Sequence, residues 1–238
     1  MQHPIIPAVL LGLCTLFCIL LVLHGLRRTL ERSGWDPSRQ FRVYRNPLLE
    51  LVGWLLLLGA PSLRGFFADF SKVPPRIGPA MMLPLPFVLW IAFSKKGREL
   101  LLRMPLQWPI YLQSFRIVVE IALWLSVRDG ALPVQMSFEG RNFDILTGLF
   151  ALPAGYFYRV KRVALVFNIF GLLSLINIVV IAVLSMPTPL RAFHNEPANT
   201  LVAYFPFIYL PTVLVPLAFT LHIFSLRQLK LVRAGRQI

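Results

Sequence analysis

Seven long apolar stretches follow one another along this chain, and they constrain its fold more than any other feature. A helix needs about 20 predominantly apolar residues to cross the hydrocarbon core of a bilayer. The stretches are Ile5–Leu26, Pro47–Phe67, Ile77–Ser94, Pro109–Val127, Phe143–Tyr158, Val163–Ser185 and Leu201–Leu226. The second carries Arg64 near its end, the third is crowded with proline, and the fifth is short enough to be re-entrant. Composition agrees: 57% of the 238 residues are apolar and 14% charged, against about 25% charged in soluble domains. A water-soluble enzyme, a disordered chain and a disulfide-stapled secreted domain are thereby excluded. The expected fold is all-α, a single integral membrane domain over residues 1–238, built as a polytopic bundle of seven helices.

The net charge of +14 would suggest nucleic acid in a soluble protein. Here the charges sit between apolar spans, so they are read as loops obeying the positive-inside rule, with no nucleic-acid partner. The 24 Lys and Arg divide unevenly between alternate loops. Seventeen fall in the loops after spans one, three and five and in the tail, from Arg27 and Arg28 to Arg233 and Arg236. The other side has six, Arg64, Lys72, Arg76, Arg128, Arg141 and Arg191, while Arg116 lies inside a span. This partition predicts an outside N-terminus and a cytoplasmic C-terminus. Arginines, and no small-residue cleavage site, follow the first span, which is therefore read as an uncleaved helix and not a signal peptide.

Two tetrapeptides, Leu63-Arg64-Gly65-Phe66 and Leu190-Arg191-Ala192-Phe193, each follow a proline at the end of a span. They suggest an internal repeat, with two three-helix units joined by the fourth span (3+1+3), as in transporters built from parallel repeats. Prolines lie deep in several spans: Pro84 and Pro86 in the third, Pro153 in the fifth, and Pro206, Pro211 and Pro216 in the seventh. Each removes a backbone donor, and the carbonyl it frees must find a partner in the protein or in water.

Polar residues inside the spans mark candidate chemistry. Arg116 and Glu120 stand i,i+4 on span four, and a lone charge at that depth costs about 2.5–3.5 kcal/mol on insertion scales. They are expected to face the interior, pair with each other, or line water. Asn177 on span six falls at a similar depth, and Asn168 and Ser174 on that span read as helix–helix hydrogen bonds. Arg116, Glu120 and Asn177 are the expected ligand or ion pathway. A second group, Asp69, Glu139, Arg141, Asn142 and Asp144, is expected as a polar cluster on the outer face, with Asn142 or Asp144 capping the fifth span. Cys14 and Cys18, four apart on span one, read as small packing residues. His24 and His222 fall toward the basic side. No zinc-hydrolase, Walker, Rossmann or nucleophile-elbow spacing occurs, and no cofactor or metal is expected.

The run from Glu139 through Gly148, together with Pro187-Thr188-Pro189, Phe205-Pro206-Phe207 and Ser225-Leu226-Arg227-Gln228-Leu229, resembles stretches recurring in uncharacterised bacterial membrane proteins. The resemblance implies a bacterial setting and a membrane location, and carries over no functional residue. The function expected from the residues is a small-solute or ion transporter, with Glu120 as a protonatable coupling residue and Arg116 its partner. The alternatives are a partner-binding subunit or sensor, and a membrane enzyme acting on a lipid or isoprenoid through the outer cluster. The bilayer and a small polar solute or ion are the expected partners, and the bacterial inner membrane is the expected location.

Overall fold

The computed structural model describes residues 4–235, with side chains through Val232; Arg236 and the side chain of Arg233 lie outside it. Helices account for the regular structure of the described residues, and no strand occurs among them. Helix α1 (Ile5–Glu31) starts behind Pro4 with Pro7 in its first turn, where the missing N–H is harmless. Helix α2 (Pro37–Leu63) begins ten residues earlier than the apolar stretch suggests. Asp36 caps it, accepting from the Arg39 N–H at 3.1 Å, and Pro37 opens its first turn. The part of the basic segment with Arg39, Arg42 and Arg45, expected as a loop, is thus the charged N-terminal part of this helix, while Arg27 and Arg28 lie in the last turns of α1.

The third apolar stretch forms α3 (Ile77–Met82) and α4 (Pro84–Phe93), joined at Leu83. Pro84 sits where a helix start tolerates it. The chain then bends by 73° into α5 (Lys95–Arg103). Ser94 caps α5 through the Gly97 N–H at 2.9 Å. A Cβ at Gly97 would lie 1.9 Å from the Ile91 carbonyl oxygen, so the bend needs glycine there. A short turn, α6 (Trp108–Tyr111), leads into α7 (Phe115–Arg128).

The fifth stretch becomes α8 (Asp144–Tyr156), and the sixth becomes α9 (Lys161–Leu184). The seventh starts with a single 3-10 turn, Leu201–Ala203, and not with an α-helix. A π-helical turn at Leu210–Leu214 runs into α10 (Val215–Gly235). Pro216 cannot donate to the Thr212 carbonyl four residues back. The Trp54 indole N–H of α2 takes that role at 3.1 Å.

Five helices are long and apolar enough to cross a membrane, or six when the bent pair Ile77–Phe93 and Lys95–Arg103 counts as one span. Helix α8 has 13 residues, about 20 Å of rise, too short for a full crossing. The surface is apolar where these helices face outward, with Leu13, Phe17, Leu57, Trp90, Phe93, Leu173 and Val180 exposed. Gln113, Arg116, Glu120, Asn168, Thr212 and His222 are buried. Polar inside and greasy outside is the pattern of a helical membrane protein. The two tetrapeptides of the expected repeat take different backbones. One turns through Gly65 at φ 70° into a 3-10 turn, while Leu190–Phe193 lies in an irregular loop.

Candidate functional site

Four helices, α7 to α10, and the loop between α7 and α8 bring the site together. On α7, Arg116 is 2% exposed and Glu120 1%, so neither charge reaches solvent. Arg116 lies about 18 Å and Glu120 about 12 Å inward of the Arg128 end of that helix. After α7 the chain turns back at Gly130 and stays near the helix end as far as Glu139, which pairs with Arg128 at 2.6 Å. It then plunges inward, and α8 starts at Asp144 beside Arg116, halfway down the bundle. The short fifth span is therefore a half-helix.

Arg116 does not pair with Glu120, four residues away on its own helix. Its guanidinium forks onto Asp144, Nε to Oδ2 at 3.1 Å and Nη2 to Oδ1. Nη1 also donates to the Gly171 carbonyl of α9 at 3.3 Å and contacts His222 Nε2 of α10 at 3.2 Å. Arginine has no acceptor, so His222 Nε2 must accept. The imidazole is then the neutral Nδ1–H tautomer, which donates to Asn168 Oδ1 at 2.9 Å. Asn168 passes the chain on to Ser225 Oγ at 2.8 Å. Ser174 donates to Asp144 Oδ1 at 2.7 Å and accepts from Thr147 at 3.1 Å. Glycine is required at 171, because a Cβ there would lie 2.3 Å from His222 Cε1.

Glu120 sits in a second arrangement. Asn142 Nδ2 donates to its Oε1 and, at 3.1 Å, to the Met136 carbonyl. Asn142 Oδ1 accepts from the Asp144 N–H at 3.0 Å, so one amide caps α8 and holds Glu120. Glu120 Oε2 is buried without a hydrogen-bond partner, as is Asn199 Oδ1. Glu120, Asp144 and Asn199 belong to the lining of a cavity of about 60 Å³, otherwise walled by apolar side chains that include Met81, Met136 and Met186. That volume holds more than one water. Among the described residues the buried charges are one cation, Arg116, and two carboxylates, Glu120 and Asp144. Arg116 and Asp144 neutralise each other, which leaves Glu120 with an amide and no cation. A proton or a small cation on Glu120 brings the site to neutrality, whereas an uncompensated buried charge costs several kcal/mol.

The five residues expected as an outer cluster do not form one: only Asn142 and Asp144 hydrogen-bond to each other. Asn142 and Asp144 are buried, at 2% and 7% exposure, and belong to the central site, because the segment carrying them folds inward. Asp69 pairs with Arg76 at 3.1 Å in a different loop. Arg141 stacks over Phe193 at 5.3 Å. Asn177 donates to the Arg141 carbonyl at 2.8 Å, holding the inward-folding segment, and is not part of the cavity lining. His222, expected near one membrane face, is buried at the centre. Ser174 and Asn168, read as helix–helix bonds, hold the two ends of the Arg116 network. Thr147 and Asn199 carried no sequence expectation. The α10 stripe of His222, Ser225 and Gln228, each three residues apart and all buried, was the signal available. Cys14 and Cys18 are buried free thiols, and no group of three metal-ligating side chains converges among the described residues.

A family model described as a domain of unknown function (DUF8737) matches residues 77–230, well over half of the chain. All the residues of the central site fall inside that range. No curated protein and no solved structure matches the chain.

Proposed function

The chain belongs to the DUF8737 family, and we propose that it is a small-solute or ion transporter whose coupling ion is taken by Glu120. One observation carries this reading. Glu120 is a fully buried carboxylate with one oxygen held by Asn142 and the other unpartnered. Its nearest cation is already committed to Asp144. An ion pair that only fixes helix packing needs one acid for one base, and the second acid has no structural use that a neutral side chain would not serve at less cost. Arg116 then acts as the fixed anchor of α8, and Asn177 holds the inward-folding segment before it.

The reading has seven crossings, six made by helical spans and the seventh by the inward-folding segment 129–143 continued by the half-helix α8. The N-terminus lies outside, and the basic loops face the cytoplasm of a bacterial inner membrane. The partition of Lys and Arg supports this orientation. Half-helices that begin mid-membrane recur at the binding sites of secondary transporters.

The test is ion-driven pH change in proteoliposomes loaded with a pH-sensitive dye, on addition of alkali cations, organic anions, amino acids or sugars. Glu120→Gln keeps an acceptor for Asn142, so the fold is retained while coupling is lost. Wild-type flux from that variant sinks the proposal.

A further inference from the structure

We infer that the groove between α1 and the α6–α7 segment binds one anionic phospholipid, with an acyl chain along the groove and the phosphate at its basic end. The groove has a volume of about 640 Å³, within the range of about 300–1,000 Å³ common for ligand sites. Leu13, Phe17 and Leu21 line it from one side, and Tyr111 and Val118 from the other. It runs along α1 from Leu10 to His24, about 21 Å of helical rise, longer than the roughly 15 Å depth of one leaflet's hydrocarbon. The groove is thus long enough to hold a chain entering from one face.

Its far end changes character. Trp108 closes it, lying so close to the α1 backbone that a Cβ at Gly25 would sit 2.0 Å from the indole ring. His24 stacks beside Trp108 with ring centroids 6.2 Å apart. Neither side chain hydrogen-bonds to another group among the described residues, so the indole N–H and the imidazole are available to a headgroup. One helical turn further on the same face stand Arg27 and Arg28, with side chains 73% and 59% exposed. Both lean on Glu31, at 3.2 and 3.5 Å, in surface pairs of little strength. Arg32 and Arg103 are adjacent, Arg103 donating to the Arg32 carbonyl at 3.2 Å. Four arginines against one glutamate select an anionic headgroup over a zwitterionic one, which brings its own cation.

The site is separate from Glu120, so it stands or falls independently of the transport reading. The test is native mass spectrometry of the full chain in detergent, titrated with phosphatidylglycerol and with phosphatidylcholine of the same acyl chains. One-to-one binding of phosphatidylglycerol is expected, about tenfold tighter than phosphatidylcholine from the arginine cluster. Val118→Trp fills the groove at a side chain 37% exposed and should abolish both; Leu13→Trp is the second groove-filling variant. Arg27→Gln/Arg28→Gln should remove the headgroup preference while chain binding remains. Equal wild-type affinity for the two lipids overturns the proposal, and so does unchanged binding by both tryptophan variants. A dimer that Val118→Trp dissociates also overturns it, since the occupant would then be a second copy of the chain.

Discussion

Replacing Asp144 by asparagine tests the central arrangement most directly. Arg116 is 2% exposed and directs two of its donors at this carboxylate. Asparagine has nearly the same shape but loses the charge and turns one acceptor into a donor facing the guanidinium. Removing one partner from a buried ion pair costs about 3–5 kcal/mol, because the remaining charge is stranded. Two features place the expected loss near the low end, at about 3 kcal/mol. Gly171, Ser174 and His222 still accept from Arg116, and Glu120 stands one turn away on α7 as a substitute carboxylate. That substitution makes the result specific. With Asp144→Asn in place, Glu120→Gln should cost more than it does alone, by about 0.5–3 kcal/mol of coupling. In the Arg116→Met/Asp144→Leu double variant both charges are gone, and most of the stability should return. Unfolding free energies come from denaturing-detergent titrations in mixed micelles, followed by circular dichroism. If Asp144→Asn lies within about 1 kcal/mol of wild type and is additive with Glu120→Gln, the guanidinium is not held as described and the reasoning fails.

Three further outcomes follow from single contacts. Gly171→Ala drives a methyl group into His222, and overpacking of this kind costs about 1–3 kcal/mol, measurable in the same titration. Glu196 is held below the usual glutamate range by the Arg191 guanidinium at 3.0 Å and the Ala198 N–H at 2.9 Å. Its depressed folded-state value means that its contribution is present above the unfolded pKa and is lost as pH falls through the folded one. Carboxyl-carbon NMR should find its titration restored toward normal in Arg191→Gln, and an unchanged midpoint refutes the contact. For the proposed orientation, cysteines introduced at Lys96 and at Leu190 should react with an impermeant maleimide from opposite faces of sealed vesicles. The native thiols are buried and stay silent, and labelling from one face alone refutes the topology.

Apolar length located α1, α9 and most of α7 and α10 from sequence, because in lipid the outward face of a helix must be greasy along its whole length. It failed where charge and helix coincide. The first half of α2, from Pro37 to Asn46, carries Arg39, Arg42 and Arg45 and looks like a loop to any hydropathy argument. The Asp36 cap followed by Pro37 was the readable signal. Arg116 and Glu120 were correctly legible as buried charges, since nothing else explains ionisable groups in an apolar run. Their pairing was not legible. Spacing on one helix favours i,i+4 partners, but a bidentate fork onto a carboxylate of a neighbouring helix offers better geometry than one rotamer of an i,i+4 carboxylate. Asp144 was named from sequence, but on the outer face; its place beside Arg116 follows only from a helix that starts in mid-bundle, which the shortness of the fifth stretch hints at and no local motif states.

That half-helix has a consequence for how the site is closed. A chain that enters the bundle without helical hydrogen bonds must satisfy its backbone from elsewhere, and at membrane depth it can do so only inside protein. The segment before α8 does this in part with its own and its neighbours' groups. Gly140 and Asn142 N–H both donate to the Ser137 carbonyl, at 3.0 and 3.3 Å. The Met136 carbonyl accepts from Asn142, and the Arg141 carbonyl accepts from Asn177. A Cβ at Gly140 would lie 2.4 Å from the Val134 carbonyl oxygen, so the turn cannot be loosened by adding a side chain there. Asn142 is common to both systems, since it secures this backbone and also holds Glu120. Any change at Glu120, whether protonation or binding of a cation, alters what Oε1 offers the Asn142 amide. That amide is one of the few bonds fixing the inward turn. The chemistry of the acid and the position of the segment above it are therefore linked through one side chain. Asn142→Ala should release both together: higher hydrogen exchange across residues 134–143, and loss of ion-dependent flux. Loss of flux with unchanged exchange would separate the two and refute the link.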